Sequence, residues 1–247
     1  MEKYTEKDIE WLLNLHKEDA GTSIRTDAPP NPRRTWKQWA VRLSLALSAL
    51  LCLIIFPFFL LIRFSVYLNL SYGLGAWTAL TGGILATIIL LCIYLVLISF
   101  KVANKKLLIK IGGIGISTMV LGYCMFSMFY LSSVNAKSSD VQEVYRSMHP
   151  ILRVAVSTLT LADGDLVITD IERFEEDYAE MGLPVNQASL HYRQESGYVQ
   201  AVDIRTIGHG SVRNALLRGS LELMGFRTIR HVGTADHLHV ELRRTSR

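Results

Sequence analysis

The chain has 247 residues, a net charge of +4 and 50% hydrophobic residues, and only 19% of its residues are charged. Three stretches contain no charged side chain: residues 43–62, 64–100 and 111–136. Each is at least as long as the run of about 20 apolar residues that crosses a bilayer. The composition therefore excludes a soluble single-domain protein and a largely disordered chain.

The basic excess lies in the apolar part of the chain. Residues 39–136 contain six basic side chains and no acidic one, whereas residues 137–247 contain more acidic than basic side chains. The charge thus gives no reason to expect nucleic-acid binding. The three cysteines all lie in apolar stretches and cannot form a disulfide framework.

The first 38 residues form a polar arm, in which Glu6–His16 has the spacing of a short amphipathic helix. Residues 39–136 form the predicted membrane region. Polar residues and glycines interrupt the apolar sequence near residue 70, so residues 63–74 are predicted to be a short loop. The three predicted transmembrane helices cover about 41–62, 75–99 and 111–133.

Glycines in these spans are typical of close helix packing, and a possible membrane-protein partner could bind through the same helices. The spans contain no acidic residue or histidine, which disfavours an ion or proton pathway.

Basic residues flank the first span on its N-terminal side and also occur in the loop Lys101–Lys110. Such flanks favour the cytoplasmic side of a membrane. The predicted protein is therefore a multi-pass protein of the cytoplasmic (inner) membrane, with the N-terminus inside. Residues 137–247 would then form a periplasmic or extracellular domain.

The outer region is predicted to be a small α+β domain with an antiparallel sheet. Its elements follow from helical periodicity, strand alternation and the breaks at Pro150, Gly182 and Gly225. The predicted helices are Val141–Leu161, interrupted by Pro150, then Glu172–Met181 and Ser211–Met224. The predicted strands are Asp165–Thr169, Val199–Ile204, Phe226–His231 and His237–Leu242.

Two histidines at strand spacing are candidates for chemistry. His237 and His239 are two residues apart and therefore project from one face of a strand. Two histidines and a carboxylate that converge could hold Zn²⁺ and leave a fourth position for water. An exposed His-x-His pair is also common on ordinary surfaces, so the spacing leaves both interpretations open. His149, His209 and His231 lack such neighbours and are expected to be structural or surface residues.

The local sequences around these residues strengthen the metal interpretation. Ser189-Leu190-His191-Tyr192, Ala201-Val202-Asp203-Ile204 and Asp236-His237-Leu238-His239-Val240 occur in that order. This arrangement resembles the metal-binding core of the M15-type zinc D,D-peptidases, the murein endopeptidases and the Hedgehog signalling domain. The family pattern is approximately S-x-H-x-x-G-x-A-x-D, followed by D/E-x-x-H or H-x-H.

The resemblance implies a zinc-dependent peptidase that hydrolyses peptides of peptidoglycan, as a D,D-carboxypeptidase or an endopeptidase. It implies that Asp236 is the catalytic base and that His237 stabilises the oxyanion or orients substrate. Arg173 and Ser189 match substrate-binding positions, with Arg173 contacting a substrate carboxylate. The implied zinc ligands are His191, Asp203 and His239.

The sequence departs from the family pattern between the first two implied ligands. Residues 193–200 resemble an insertion of five residues in the connecting turn, and this insertion could block or reshape a cleft. An alternative is therefore a non-catalytic, zinc-stabilised module that binds peptidoglycan or a partner protein. A further alternative is a structural membrane protein whose outer domain is a tether.

Overall fold

The structure is a computed structural model that describes residues 6, 7, 10, 14, 32–180, 182, 184–233 and 236–243. The chain divides into two units, residues 1–51 and residues 52–247. In the first unit, residues 6, 7, 10 and 14 are helical, and the rest of the predicted helix Glu6–His16 lies outside the described residues.

Three helices are long and apolar enough to cross a membrane, judged by length and composition. They are α1 (Pro32–Tyr72), α2 (Ala76–Ser99) and α3 (Lys105–Phe129). This confirms the prediction of an N-terminal region with three long apolar helices.

The predicted loop at 63–74 is wrong, because α1 continues to Tyr72 and only residues 73–75 leave the helix. At the start of the predicted loop, Ser65 and Val66 are buried in helix packing. The turn begins at Gly73, whose φ of 67° is a conformation that glycine adopts easily. Helix α1 has 41 residues, about twice the number that crosses the hydrocarbon core.

Glycines allow α1 and α2 to approach closely. A Cβ added to Gly83 would lie 2.4 Å from the carbonyl oxygen of Leu61 and 2.0 Å from Ser65 Oγ. Helix α3 begins at Lys105 rather than at residue 111, because the Asn104 side chain accepts a hydrogen bond from the Leu107 amide and caps the helix.

The region after α3 begins with short helical segments and one apolar helix. Helix α4 covers Ser139–Glu143, and a 3₁₀ turn covers Val144–Ser147. Helix α5 covers Pro150–Ala162 and starts at Pro150 because proline suits the first turn of a helix. From Ile151 to Leu159 every residue of α5 except Thr158 is buried, so this part of the helix is covered on all sides.

The remainder is a four-stranded antiparallel sheet with two helices, which confirms the predicted small sheet domain. The strand order is β1-β2-β4-β3. The strands are β1 (Ile168–Asp170), β2 (Ala201–Arg205), β3 (Arg227–His231) and β4 (His237–Glu241), and the helices are α6 (Glu175–Glu180) and α7 (Ser211–Met224).

The sheet domain and the ends of the apolar helices share one hydrophobic core. Buried residues of α1, α2 and α3 belong to the same cluster as those of α5 and the sheet. Polar contacts reinforce this junction: Tyr123 Oη lies 2.7 Å from Thr158 Oγ1, and Arg153 Nη1 donates to the Met128 carbonyl at 2.8 Å. Helix α5 is therefore enclosed between the sheet and the apolar helices.

Candidate metal centre

Strands β2 and β4 divide their side chains between the core and an open cleft. Val202, Ile204, Leu238 and Val240 are buried in the core. The intervening residues alternate onto the other face of the sheet. Antiparallel pairing then places Asp203 directly opposite His239.

His191 reaches the same face from the segment that precedes β2. The residue is 1% exposed, and its Nδ1 lies 2.7 Å from the carbonyl oxygen of Ile171. Because a carbonyl can only accept, Nδ1 donates this hydrogen bond, and Nε2 faces the cluster. Ser189, a predicted substrate contact, is buried, and its hydroxyl accepts from the His191 amide at 3.3 Å.

The three predicted ligands converge. His191 Nε2 lies 3.2 Å from His239 Nδ1 and 3.4 Å from Asp203 Oδ1, and His239 Nδ1 lies 2.8 Å from Asp203 Oδ1. Two donor atoms on a tetrahedral metal with bonds near 2.0 Å are about 3.3 Å apart. The three donor atoms could therefore hold a metal ion on one triangular face of its coordination sphere.

The carboxylate of Asp203 has different partners at its two oxygens. Oδ1 faces the two imidazoles, whereas Oδ2 accepts a hydrogen bond from Arg173 Nη2 at 2.6 Å. Burial acts to raise the Asp203 pKa, but hydrogen bonds with His191 and His239 and the charge of Arg173 outweigh it and hold the pKa well below its usual range. Asp203 is thus ionised, as a metal ligand requires.

Acidic neighbours also affect His239. Burial acts to lower its pKa, yet Asp203 and Glu241 raise it overall. Glu241 is buried and lies two residues beyond His239 on the same face of β4. Its Oε2 is 3.6 Å from His239 Nε2. A carboxylate in this position can orient a ligating imidazole from behind.

Arg173, predicted to contact a substrate carboxylate, is bound to carboxylates of the protein. Besides the Asp203 contact, its Nε donates to Asp170. These two ion pairs make Arg173 part of the framework that supports Asp203.

Asp236 lines the cleft but is also engaged. It forms a two-point ion pair with Arg230, at 3.1 and 2.7 Å, and accepts a hydrogen bond from Thr206 Oγ1 at 2.6 Å. The Arg230 and Thr206 contacts lower the Asp236 pKa to about 2. A carboxylate in this state has little affinity for a proton near neutral pH.

His237 lies beside the three converging residues. Its Nε2 is 3.7 Å from Asp203 Oδ2, and its ring stacks on that of His231 at 4.9 Å between centroids. His231 is exposed, as expected of a surface residue, but it does have a histidine neighbour, because the β3–β4 register places it opposite His237. That pairing was accessible from the sequence, since only five residues separate the two histidines in a hairpin.

The cleft over this site has a volume of about 850 Å³. Besides the residues above, Lys137 and Arg205 line it. None of residues 193–200, all of which the structure describes, is among the lining residues. The insertion instead forms a small hairpin, with a bridge between Arg193 and Val199 and a turn at Gly197, whose φ is 78°.

The insertion hairpin is tied to other parts of the second unit. Val199 exchanges backbone hydrogen bonds with Ser147 and His149, each 2.9 Å long. The indole Nε1 of Trp77, at the start of α2, donates to Tyr198 Oη at 2.9 Å. The hairpin therefore contributes to the junction with the apolar helices and leaves the cleft open.

Comparison with known proteins adds no relative to this description. No protein-family model, no curated protein and no solved structure matches the chain.

Proposed function

We propose that this protein is a membrane-anchored zinc peptidase that cleaves peptides of peptidoglycan. The observation that carries the proposal is the convergence of His191, Asp203 and His239 in an open cleft. Two imidazoles and one carboxylate form a donor set found in catalytic zinc sites, which keep one position open. A bound Zn²⁺ would supply Lewis acidity and lower the pKa of its water.

In this proposal His237 is the general base. Asp236 instead holds neighbouring side chains of the cleft in position. A general base must lie within hydrogen-bond reach of the proton that it takes. His237 lies in the cleft next to Asp203, whereas Asp236 is an ion-paired acid of low pKa. These contacts favour His237 over the base that the family resemblance implies.

The proposed substrate contact shifts from Arg173 to Arg205 and Lys137. Arg205 lies two residues beyond Asp203, so it is on the cleft face of β2 and pairs in register with His237. Neither Arg205 nor Lys137 forms an ion pair with any residue that the structure describes. Two such cations in the cleft suit a peptide that carries carboxylates, as peptidoglycan stem peptides do.

The proposed location follows from the basic flanks of the apolar helices. Such flanks favour the cytoplasmic side, so the sheet domain would lie on the far side of the cytoplasmic membrane, where peptidoglycan lies. A reporter active only outside the cytoplasm, fused after residue 247, is expected to be active. Activity of a cytoplasm-only reporter at that position would contradict the location and the proposed substrate together.

The decisive experiment uses the full chain in nanodiscs loaded with Zn²⁺. Purified peptidoglycan should yield new peptide products, identified by mass, and the protein should contain one zinc per chain. His239→Ala should lose both the zinc and the products, because two ligands remain. His209→Ala, outside the cleft lining, is the matched control and should retain both.

Two variants separate the proposed roles within the site. His237→Gln should retain zinc and lose roughly 10²- to 10⁴-fold in rate, the usual contribution of general acid–base catalysis. Asp236→Asn should lose less. The opposite order would return the role of base to Asp236. Zinc binding without products from any peptidoglycan would instead support the non-catalytic binding module.

A further inference from the structure

Helix α7 carries an apolar stripe on its exposed side. Val212, Leu216 and Leu223 are 71%, 66% and 70% exposed. Their spacing of four and seven residues places them on one side of the helix. The buried residues of α7, by contrast, are Asn214, Leu217, Leu221 and Met224, which lie on the opposite side.

The stripe faces away from the sheet. The core side of α7 packs toward β3 and α5. Helices α5 and α7 lie in the core on the face of the sheet opposite the cleft. Helices α2 and α3 contact α5, which is buried along most of its length although the sheet can cover only one of its sides. The stripe and the apolar helices thus lie on the same side of the sheet domain.

The C-terminal end of α7 touches α1 where its apolar run ends. A Cβ added to Gly225, which caps α7 with a φ of 102°, would lie 2.3 Å from Arg63 Nη1 and 2.9 Å from Val66 Cγ1. Arg63 is the first charged residue after the charge-free run 43–62. A run of that length matches the hydrocarbon core, so Arg63 marks a level at the membrane surface.

We infer that α7 lies on the membrane surface, with Val212, Leu216 and Leu223 in contact with lipid. An amphipathic helix in this position buries its apolar side about 5–10 Å into the boundary between headgroups and acyl chains. The interface is continuous with the packing of α7 on α1. This inference does not depend on the proposed enzymatic function or on which side of the membrane the domain occupies.

The experiment places a fluorescent label along α7 in the full chain. A background of Cys52→Ser, Cys92→Ala and Cys124→Ala receives a single cysteine, either Leu216→Cys or Leu223→Cys. Arg218→Cys, on the polar side of the same helix, is the matched control. Each protein is labelled with bimane and placed, one chain per disc, in nanodiscs of phosphatidylglycerol and phosphatidylethanolamine that contain nitroxide-labelled lipid. An unchanged thermal unfolding transition verifies the fold of each labelled protein.

Lipid nitroxides should remove most of the emission at positions 216 and 223 and little at 218, whereas aqueous iodide should quench mainly position 218. Equal access of iodide to positions 216 and 218, without lipid quenching, would overturn the inference. Shielding of position 216 that appears only when two chains share a disc would also overturn it, because the occupant would then be a second copy.

Discussion

His149 should make the stability of the sheet domain sensitive to acid. Its side chain is 1% exposed and caps α5, with Nδ1 accepting a hydrogen bond from the Ile151 amide at 3.4 Å. Burial, together with the charge of Arg153, lowers the His149 pKa from 6.5 to about 4. The edge of its ring meets Tyr198, 5.8 Å away between centroids. Protonation would remove the cap and place a charge in this enclosed position.

The difference between the His149 pKa values of the unfolded and folded states determines the sign and size of the effect on stability. The folded state has the lower pKa, so the unfolded state binds the proton more readily. The stabilisation is fully present above pH 6.5 and is lost as the pH falls toward 4. Each unit of pKa difference corresponds to about 1.4 kcal/mol in the free energy of unfolding, so the whole difference corresponds to about 3 kcal/mol. Between pH 6.5 and 5 the expected loss is about 2 kcal/mol.

The test compares the full chain with His149→Asn in detergent micelles. Asparagine retains a cap acceptor but cannot be protonated in this range. Free energies of unfolding from urea titrations are measured at several pH values between 7.5 and 5. All other histidines are common to both proteins, so the difference in pH slope isolates His149. Parallel pH profiles for the two proteins would refute the assignment of a buried, neutral imidazole at this position.

Three further predictions concern the helix packing, the cleft and the junction. Gly83→Ala should destabilise the chain by about 1–3 kcal/mol, because the added Cβ meets the Leu61 carbonyl. At Gly113 an added Cβ meets nothing within 4 Å, so Gly113→Ala should leave thermal unfolding unchanged. Arg205→Ala should lower kcat/KM roughly 10- to 100-fold, mainly through KM, and leave the metal content unchanged. Residues 137–247 expressed alone should lack cooperative unfolding in calorimetry; a sharp transition in that fragment would contradict the shared core.

The apolar helices were predictable because bilayer spanning demands long runs without charge. The end of α1 was not predictable. Asn69 and Ser71 indicate a loop only if their polar side chains find no hydrogen-bond partner while the backbone is helical. Asn69 instead donates to the Leu74 carbonyl at 2.8 Å. Packing on α2 buries Ser65, so the helix continues past Arg63 and ends only before Gly73.

The metal cluster was predictable for a different reason. Strand alternation places His237 and His239 on one face, and the local resemblance adds His191 and Asp203. The contacts of Arg173 and Asp236 were not predictable, because each depends on how a loop packs beside a strand. Arg173 comes from the segment after β1, and the Arg230 partner of Asp236 comes from β3.

The shared core gives the three apolar helices a role beyond anchoring. Helix α5 is buried from Ile151 to Leu159 apart from one partly exposed residue, Thr158, and the sheet can cover only one of its sides. The ends of α2 and α3 cover the other side, so the apolar helices complete the domain core. Because the cleft residues of β2 and β4 lie on the face of the sheet opposite the core, the sheet separates the cleft from α5 and from the apolar helices that cover α5. Under the proposed function, this position would let the peptidoglycan substrate approach from the aqueous space.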